Sequence, residues 1–197
     1  MTTQVTGSGV NFNGSTSGTI LLTQPAVAGS NTITLPAETG TLLSSVSSGV
    51  LVNRAYSEYL TYTSMSPTIP ADNTIPLISE GTEILSVSIT PKTTTNRVRI
   101  FFQCFATTAT GPDQVTAALF LNGGTNAICA SNVTTTTAAY GSTLVMLLEH
   151  IPGSVSAQTY TIRIGAQTYV CYVNGTPANR YYGGVARATV TLEEFAP

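Results

Sequence analysis

The sequence predicts an all-β protein, a jelly-roll-like β-sandwich with a short-stranded N-terminal arm. Three observations lead there. Apolar and polar residues alternate with period two through much of residues 51–197; Gly, Pro and Asn punctuate these runs at short intervals; and no stretch shows convincing 3.6-residue periodicity. Composition agrees, since 35 of the 197 residues are Thr, whose β-branched side chain suits a half-buried strand.

Residues 1–18 are Thr, Ser, Gly and Asn with only Val5, Val10 and Phe12 as apolar anchors. Such a segment buries too little surface to fold alone. Short strands are expected at 19–23 and 31–35, with a further apolar piece at 40–43, and pieces this short need partners. Residues 44–49, SSVSSG, read as a linker, so residues 1–50 form arm and linker and residues 51–197 the sandwich. One window, 46–59, is also compatible with a helix.

In the sandwich, strands are expected at 56–63 and 75–78, and then at 82–90, where Leu85, Val87 and Ile89 oppose Ser86 and Ser88 before Pro91 ends the run. Residues 97–105, RVRIFFQCF, put Val98, Ile100, Phe102 and Cys104 on one face and Phe101 and Phe105 on the other. Aromatics on both faces predict a strand covered on both sides. Residues 115–121 run into Asn122-Gly123-Gly124 and return at 126–130, a hairpin pattern. Residues 143–150, 159–166, 168–173 and 185–195 complete the set, with Asn174-Gly175 at another turn.

Charge is nearly absent. Asp, Glu, Lys and Arg make up 8% of residues, against about 25% in an ordinary soluble domain. The seven basic residues are scattered and the formal net charge is -2, which disfavours nucleic-acid binding. No window approaches the roughly 20 apolar residues of a membrane-spanning helix. Residues 1–7 lack the basic and apolar regions of a secretory signal, so folding is expected in a cytoplasm. Cys104, Cys129 and Cys171 are odd in number and match no zinc spacing, and they read as buried small hydrophobes.

The chemistry of an enzyme is hard to assemble. His150 is the only histidine, no Gly-x-Ser-x-Gly accompanies a serine, and Glu193 and Glu194 are adjacent in a strand and so point to opposite faces. No catalytic residue, metal ligand or cofactor site is expected. Tyrosines cluster instead, at 56–62, at 169–172 and in the loop Asn179-Arg180-Tyr181-Tyr182, whose aromatic and hydrogen-bonding side chains suit a receptor contact. A soluble monomer ordinarily keeps a charged surface. The low charge and the unsupported short strands therefore predict a homo-oligomer, for which a trimer is preferred.

The stretch Ser17-Gly18-Thr19-Ile20-Leu21-Leu22, followed by Asn31-Thr32-Ile33-Thr34-Leu35-Pro36-Ala37-Glu38-Thr39-Gly40-Thr41-Leu42, resembles a short module of virion appendage proteins of tailed bacteriophages. The runs from Ile75-Pro76 to Pro91, Arg97-Val98-Arg99-Ile100 and Val115-Thr116-Ala117-Ala118-Leu119-Phe120 resemble the C-terminal jelly-roll domains of those proteins. The resemblance implies a homotrimer on the virion surface, assembled in the host cytoplasm. Val5, Val10 and Phe12 would anchor it to the major capsid protein or to a tail baseplate or adaptor protein. With about 50 residues before the knob and no long shaft, a capsid decoration, cement or head-fibre protein is expected. The alternative is a short tail-fibre adhesin contacting a host-surface glycan or protein through Asn179–Tyr182.

Overall fold

The computed structural model describes residues 10–13, 16–17, 19–22 and 48–197. The chain divides into two compact units, Met1–Leu42 and Leu43–Pro197. In the first, β1 (Val10–Asn13) and β2 (Thr19–Leu22) pair antiparallel, Val10 opposite Leu22 and Asn13 opposite Thr19. Val10 and Phe12 thus lie in β1, whereas Val5 and the expected strand at 31–35 fall outside the described residues.

The second unit contains β3 (Leu51–Tyr59), β4 (Thr63–Met65), β5 (Thr82–Ile89), β6 (Arg97–Thr108), β7 (Asp113–Leu121), β8 (Cys129–Thr135), β9 (Ser142–His150), β10 (Gln158–Ala166), β11 (Cys171–Val173) and β12 (Ala188–Phe195). They form two antiparallel sheets. One has the order β5-β10-β7-β8; in the other, β3-β12-β6 is continued by β9 along most of β6 and by β11 and then β4 at its far end. The eight long strands in the orders β3-β12-β6-β9 and β5-β10-β7-β8 form a jelly roll, a double-sheet sandwich of two Greek keys.

Alternation explains the core. The inward positions of β6, Val98, Ile100, Phe102 and Cys104, are at most 2% exposed, and they meet Val115, Ala117 and Leu119 of β7 and Tyr160, Ile162 and Ile164 of β10 in one cluster. A slip of one residue in β6 would exchange this row for Arg97, Arg99, Phe101 and Gln103, so burial specifies the register. Asn122 and Gly123, with φ of 52° and 69°, make the left-handed turn after β7 that Asn-Gly favours.

Several expectations are corrected. The helix-compatible window 46–59 is strand from Leu51, held by pairing with β12 from Ala188↔Tyr59 to Phe195↔Leu51. The strand expected at 56–63 breaks after Tyr59 and resumes at Thr63. Residues 75–78 form no strand. Pro76 has no N–H to donate, and this stretch belongs to a long connection, 66–81, that crosses the outer face of the β5-β10-β7-β8 sheet. There Ile69 covers the outward side chains Ala118 and Phe120 of β7, with Ile78 and Ala127 beside them. Backbone bonds from Ile69 to Ala166 (3.1 Å) and Ile78 to Thr125 (2.8 Å) fasten the connection, and the Arg163 guanidinium donates to the carbonyls of Glu80 and Gly81. A side chain at Gly165 would collide with Ile69 and the Pro67 carbonyl, so the close approach requires glycine there.

The reading of β6 as covered on both sides is also corrected. Its outer face is covered only in part within the described chain: Phe105 meets Tyr181, while Phe101 is 39% exposed. Cys104 and Cys171 are buried as expected, with burial pushing the Cys171 thiol up to about 12, whereas Cys129 is only half-buried.

Candidate interaction surfaces

Cross-strand register sorts the outer face of the β3-β12-β6-β9 sheet into rows. Leu147, Phe101, Thr191 and Tyr56 form one row; Val145, Gln103, Thr189 and Glu58 lie on one side of it and Glu149, Arg99, Glu193 and Arg54 on the other. Leu147 is 61% exposed, Tyr56 50% and Val145 44%, on a sheet whose other face is the protein core. A shallow depression of about 400 Å³ lies over this face, lined by Arg54, Arg99, Phe101, Leu147, Thr191 and Glu193 among others.

Charge borders the apolar row. Arg99 donates to Glu149 at 2.8 Å and packs 4.9 Å over the Phe195 ring, while Arg97 reaches Glu149 at 3.3 Å. The Arg99 hydrogen bond holds the Glu149 carboxyl below the usual carboxylate range. On β3, Tyr56 donates its hydroxyl to Glu58 at 2.9 Å and Arg187 binds the same oxygen at 2.7 Å; together they lower the Glu58 carboxyl, the tyrosine first. These pairs are solvent-exposed and contribute little stability individually. They compensate the carboxylates of Glu58 and Glu149.

The second surface is the loop 174–187. Asn174 turns the chain with φ of 63°, its side chain donating to the carbonyls of Tyr59 and Thr61. The Gly175 backbone bridges to Arg180, and the Tyr181 amide donates to the Asn174 carbonyl at 3.0 Å. Tyr181 packs on Phe105, ring centroids 5.0 Å apart, and on Tyr182 at 5.5 Å. Tyr182, 78% exposed, carries φ of 48° in a single 3-10 turn. The structure therefore groups Asn179, Arg180, Tyr181 and Tyr182 in one loop, the first two exposed and Tyr181 half-buried. Sequence reasoning did not single out the outward row of β6 and β9 as a surface. Its signal was present in Leu147, an apolar residue alternating with the buried Met146.

Glu193 lies half-buried on the outer sheet face, whereas Glu194 is fully buried, accepting from the Lys92 amide and the Asn96 side chain, both at 2.6 Å. Among the described residues no group of three or more His, Cys, Asp or Glu is placed to hold a metal ion, and no helix is long and apolar enough to cross a membrane.

No family model matches the sequence, and no curated protein matches it. Among solved structures, the chain is similar to that of Eiger TNF from S. frugiperda, with a TM-score of 0.43 and 9% identity over 72% of this chain and 90% of that one.

Proposed function

We propose that this chain is a structural protein of a tailed-phage virion, a homotrimeric surface knob that decorates the capsid and is held on the particle through its N-terminal residues. The uncovered row Leu147–Phe101–Thr191–Tyr56 carries the self-association. One sheet of the sandwich has the outward Ala118 and Phe120 of β7 covered by the chain's own 66–81 connection, while the other presents half-exposed leucine, valine and aromatic side chains in a protein that is 8% charged. Copies packed over that face would remove the apolar row from water. The virion assignment is supported by the resemblance of residues 17–42 to the phage appendage module.

Light scattering on the full chain at micromolar concentration tests the assembly, with a mass three times the 20.5 kDa of one chain expected. A stable single-chain species would overturn it. Deletion of residues 1–18 tests attachment. Loss of the protein from purified particles is expected, and unchanged occupancy would overturn that half of the proposal.

A further inference from the structure

The tyrosines are distributed unevenly along the sandwich. Strand directions place the loops 90–96, 122–128 and 151–157 at the end where residue 51 enters and residue 197 leaves. None of them contains a tyrosine. The opposite end is built from 60–62, 109–112, 136–141, 167–170 and 174–187, and it holds Tyr62, Tyr140, Tyr169, Tyr181 and Tyr182, with Tyr59 ending β3 and Tyr172 in the short β11 beside them. Seven of the nine tyrosines thus gather at one end. Contacts knit these loops together. Tyr62 stacks on Tyr172 at 6.1 Å and donates to the Thr176 carbonyl, Tyr181 packs on Phe105, and Gly141 lies against the same Phe105 ring.

Three of these tyrosines are open to solvent, Tyr182 at 78%, Tyr140 at 72% and Tyr169 at 42%. The charged residues in these loops are Arg180 and Arg187, and Arg187 is tied to Glu58 at 2.7 Å. Arg180 is exposed with no ion pair among the described residues, and around it the loops present neutral hydrogen-bonding groups: Asn, Gln, Thr and the tyrosine hydroxyls. Beside Tyr182 a depression of about 260 Å³ is lined by Gln103, Phe105, Thr143, Val185 and Arg187.

The backbone that carries Tyr182 is also fixed before any ligand arrives. It adopts a left-handed backbone, φ 48°, followed by Gly183 at 65° and Gly184 at 98°, a conformation that a bulky residue keeps only when its surroundings impose it. The Tyr181 ring against Phe105 and the Gly184 amide bonded to the Tyr181 carbonyl at 2.9 Å impose it here. An exposed aromatic platform whose polar surroundings, Arg180 apart, are neutral donors and acceptors matches one ligand chemistry well. Sugar rings offer an apolar face for stacking and hydroxyls for hydrogen bonds, and carry no charge.

We propose that the tyrosine-rich end of the sandwich, centred on Tyr182 and Tyr140, is a binding surface for neutral saccharides. It deepens the virion-knob reading by giving the knob a ligand. Saturation-transfer NMR tests it on the full chain, with glucose, galactose, mannose, N-acetylglucosamine and their short linear oligomers at millimolar concentration. Transfer to at least one of these is expected, with binding roughly tenfold weaker in Tyr182→Gly and in Tyr140→Ala and unchanged in Ile151→Ala at the opposite end. Tyr182→Gly relieves the left-handed backbone, so its folding is not at risk.

Absence of transfer from every neutral sugar would overturn the proposal, as would wild-type binding by both tyrosine variants. Recognition of anionic sugars alone, or of a cell-surface protein with no sugar bound, would overturn the ligand class. Light scattering on the same samples separates the two readings. A single-chain species that binds sugar would overturn the trimer and keep this site, whereas a trimer that binds none would do the reverse.

Discussion

Leu147 of β9 and Phe101 of β6 stand directly opposite one another in an antiparallel ladder, and both point away from the core, 61% and 39% exposed. The residues next to them in sequence, Met146 and Phe102, form the adjacent cross-strand pair and are at most 2% exposed. Two neighbouring rungs of one ladder therefore serve opposite surroundings.

Leu147→Asp and Phe102→Ala should separate these roles. Burying a leucine between copies contributes about 1.5–3 kcal/mol, so Leu147→Asp should weaken self-association roughly ten- to a hundredfold while moving the urea midpoint of the dissociated chain little. Phe102→Ala should cost about 3–5 kcal/mol of folding stability. Light scattering and urea titration read the two effects, and a large loss of chain stability in Leu147→Asp would show that its side chain serves the fold.

Gly141 precedes β9 at a point where an added Cβ would meet the Phe105 ring, the Thr107 methyl and the Ala106 carbonyl. All three belong to β6, so the strain has little room to relax. Gly141→Ala should lower stability by about 1–3 kcal/mol. Gly153→Ala makes a useful contrast. Its added methyl meets open space, and its cost comes from the left-handed backbone, φ 66°, at about 1 kcal/mol. Urea midpoints that rank these two in the reverse order would contradict the packing at Phe105.

His150, at the end of β9, lies edge-on to the fully buried Tyr160 with its Nδ1 3.1 Å from the tyrosine hydroxyl. Burial lowers its pKa from the ordinary 6.5. The folded protein then holds fewer protons than the unfolded chain below that value, so this contribution to stability is complete above about pH 6.5 and is lost as pH falls through the lowered folded pKa. The paired carboxyls Glu58 and Glu149, shifted downward from 4.5, act at lower pH. The thermal midpoint should fall as pH drops below about 6.5 in the wild type and stay flatter in His150→Gln; equal slopes would remove His150 as the cause.

The sandwich was legible in β5, β6 and β10 because one face of each strand is buried, and burial writes a period of two into the residues. It was less legible at 75–78, where an apolar pair flanks a proline: Ile78 is covered, but by packing a connection onto a sheet. The loop Asn179–Tyr182 was found from its residue types, since Tyr, Arg and Asn beside paired glycines mark an exposed turn. The gathering of distant tyrosines at one end was not legible, because Tyr62, Tyr140, Tyr169 and Tyr182 are brought together by strand direction. The outer row of β6 misled in an instructive way. Phe101 and Phe105 were read as facing a covering layer, and within one chain only part of that layer exists: Phe105 meets Tyr181, while Phe101 meets water.

The strap of residues 66–81 across one sheet has a consequence for how copies of this chain can add to each other. A sandwich with both faces bare could stack without limit, layer on layer, into a fibre. With residues 66–81 lying over β7 and Ile69 on Ala118 and Phe120, that face cannot meet a second sheet flush, and the proposed self-association is left with the other face. If copies associate as proposed, the strap acts as a stop that favours a small closed particle over an open polymer.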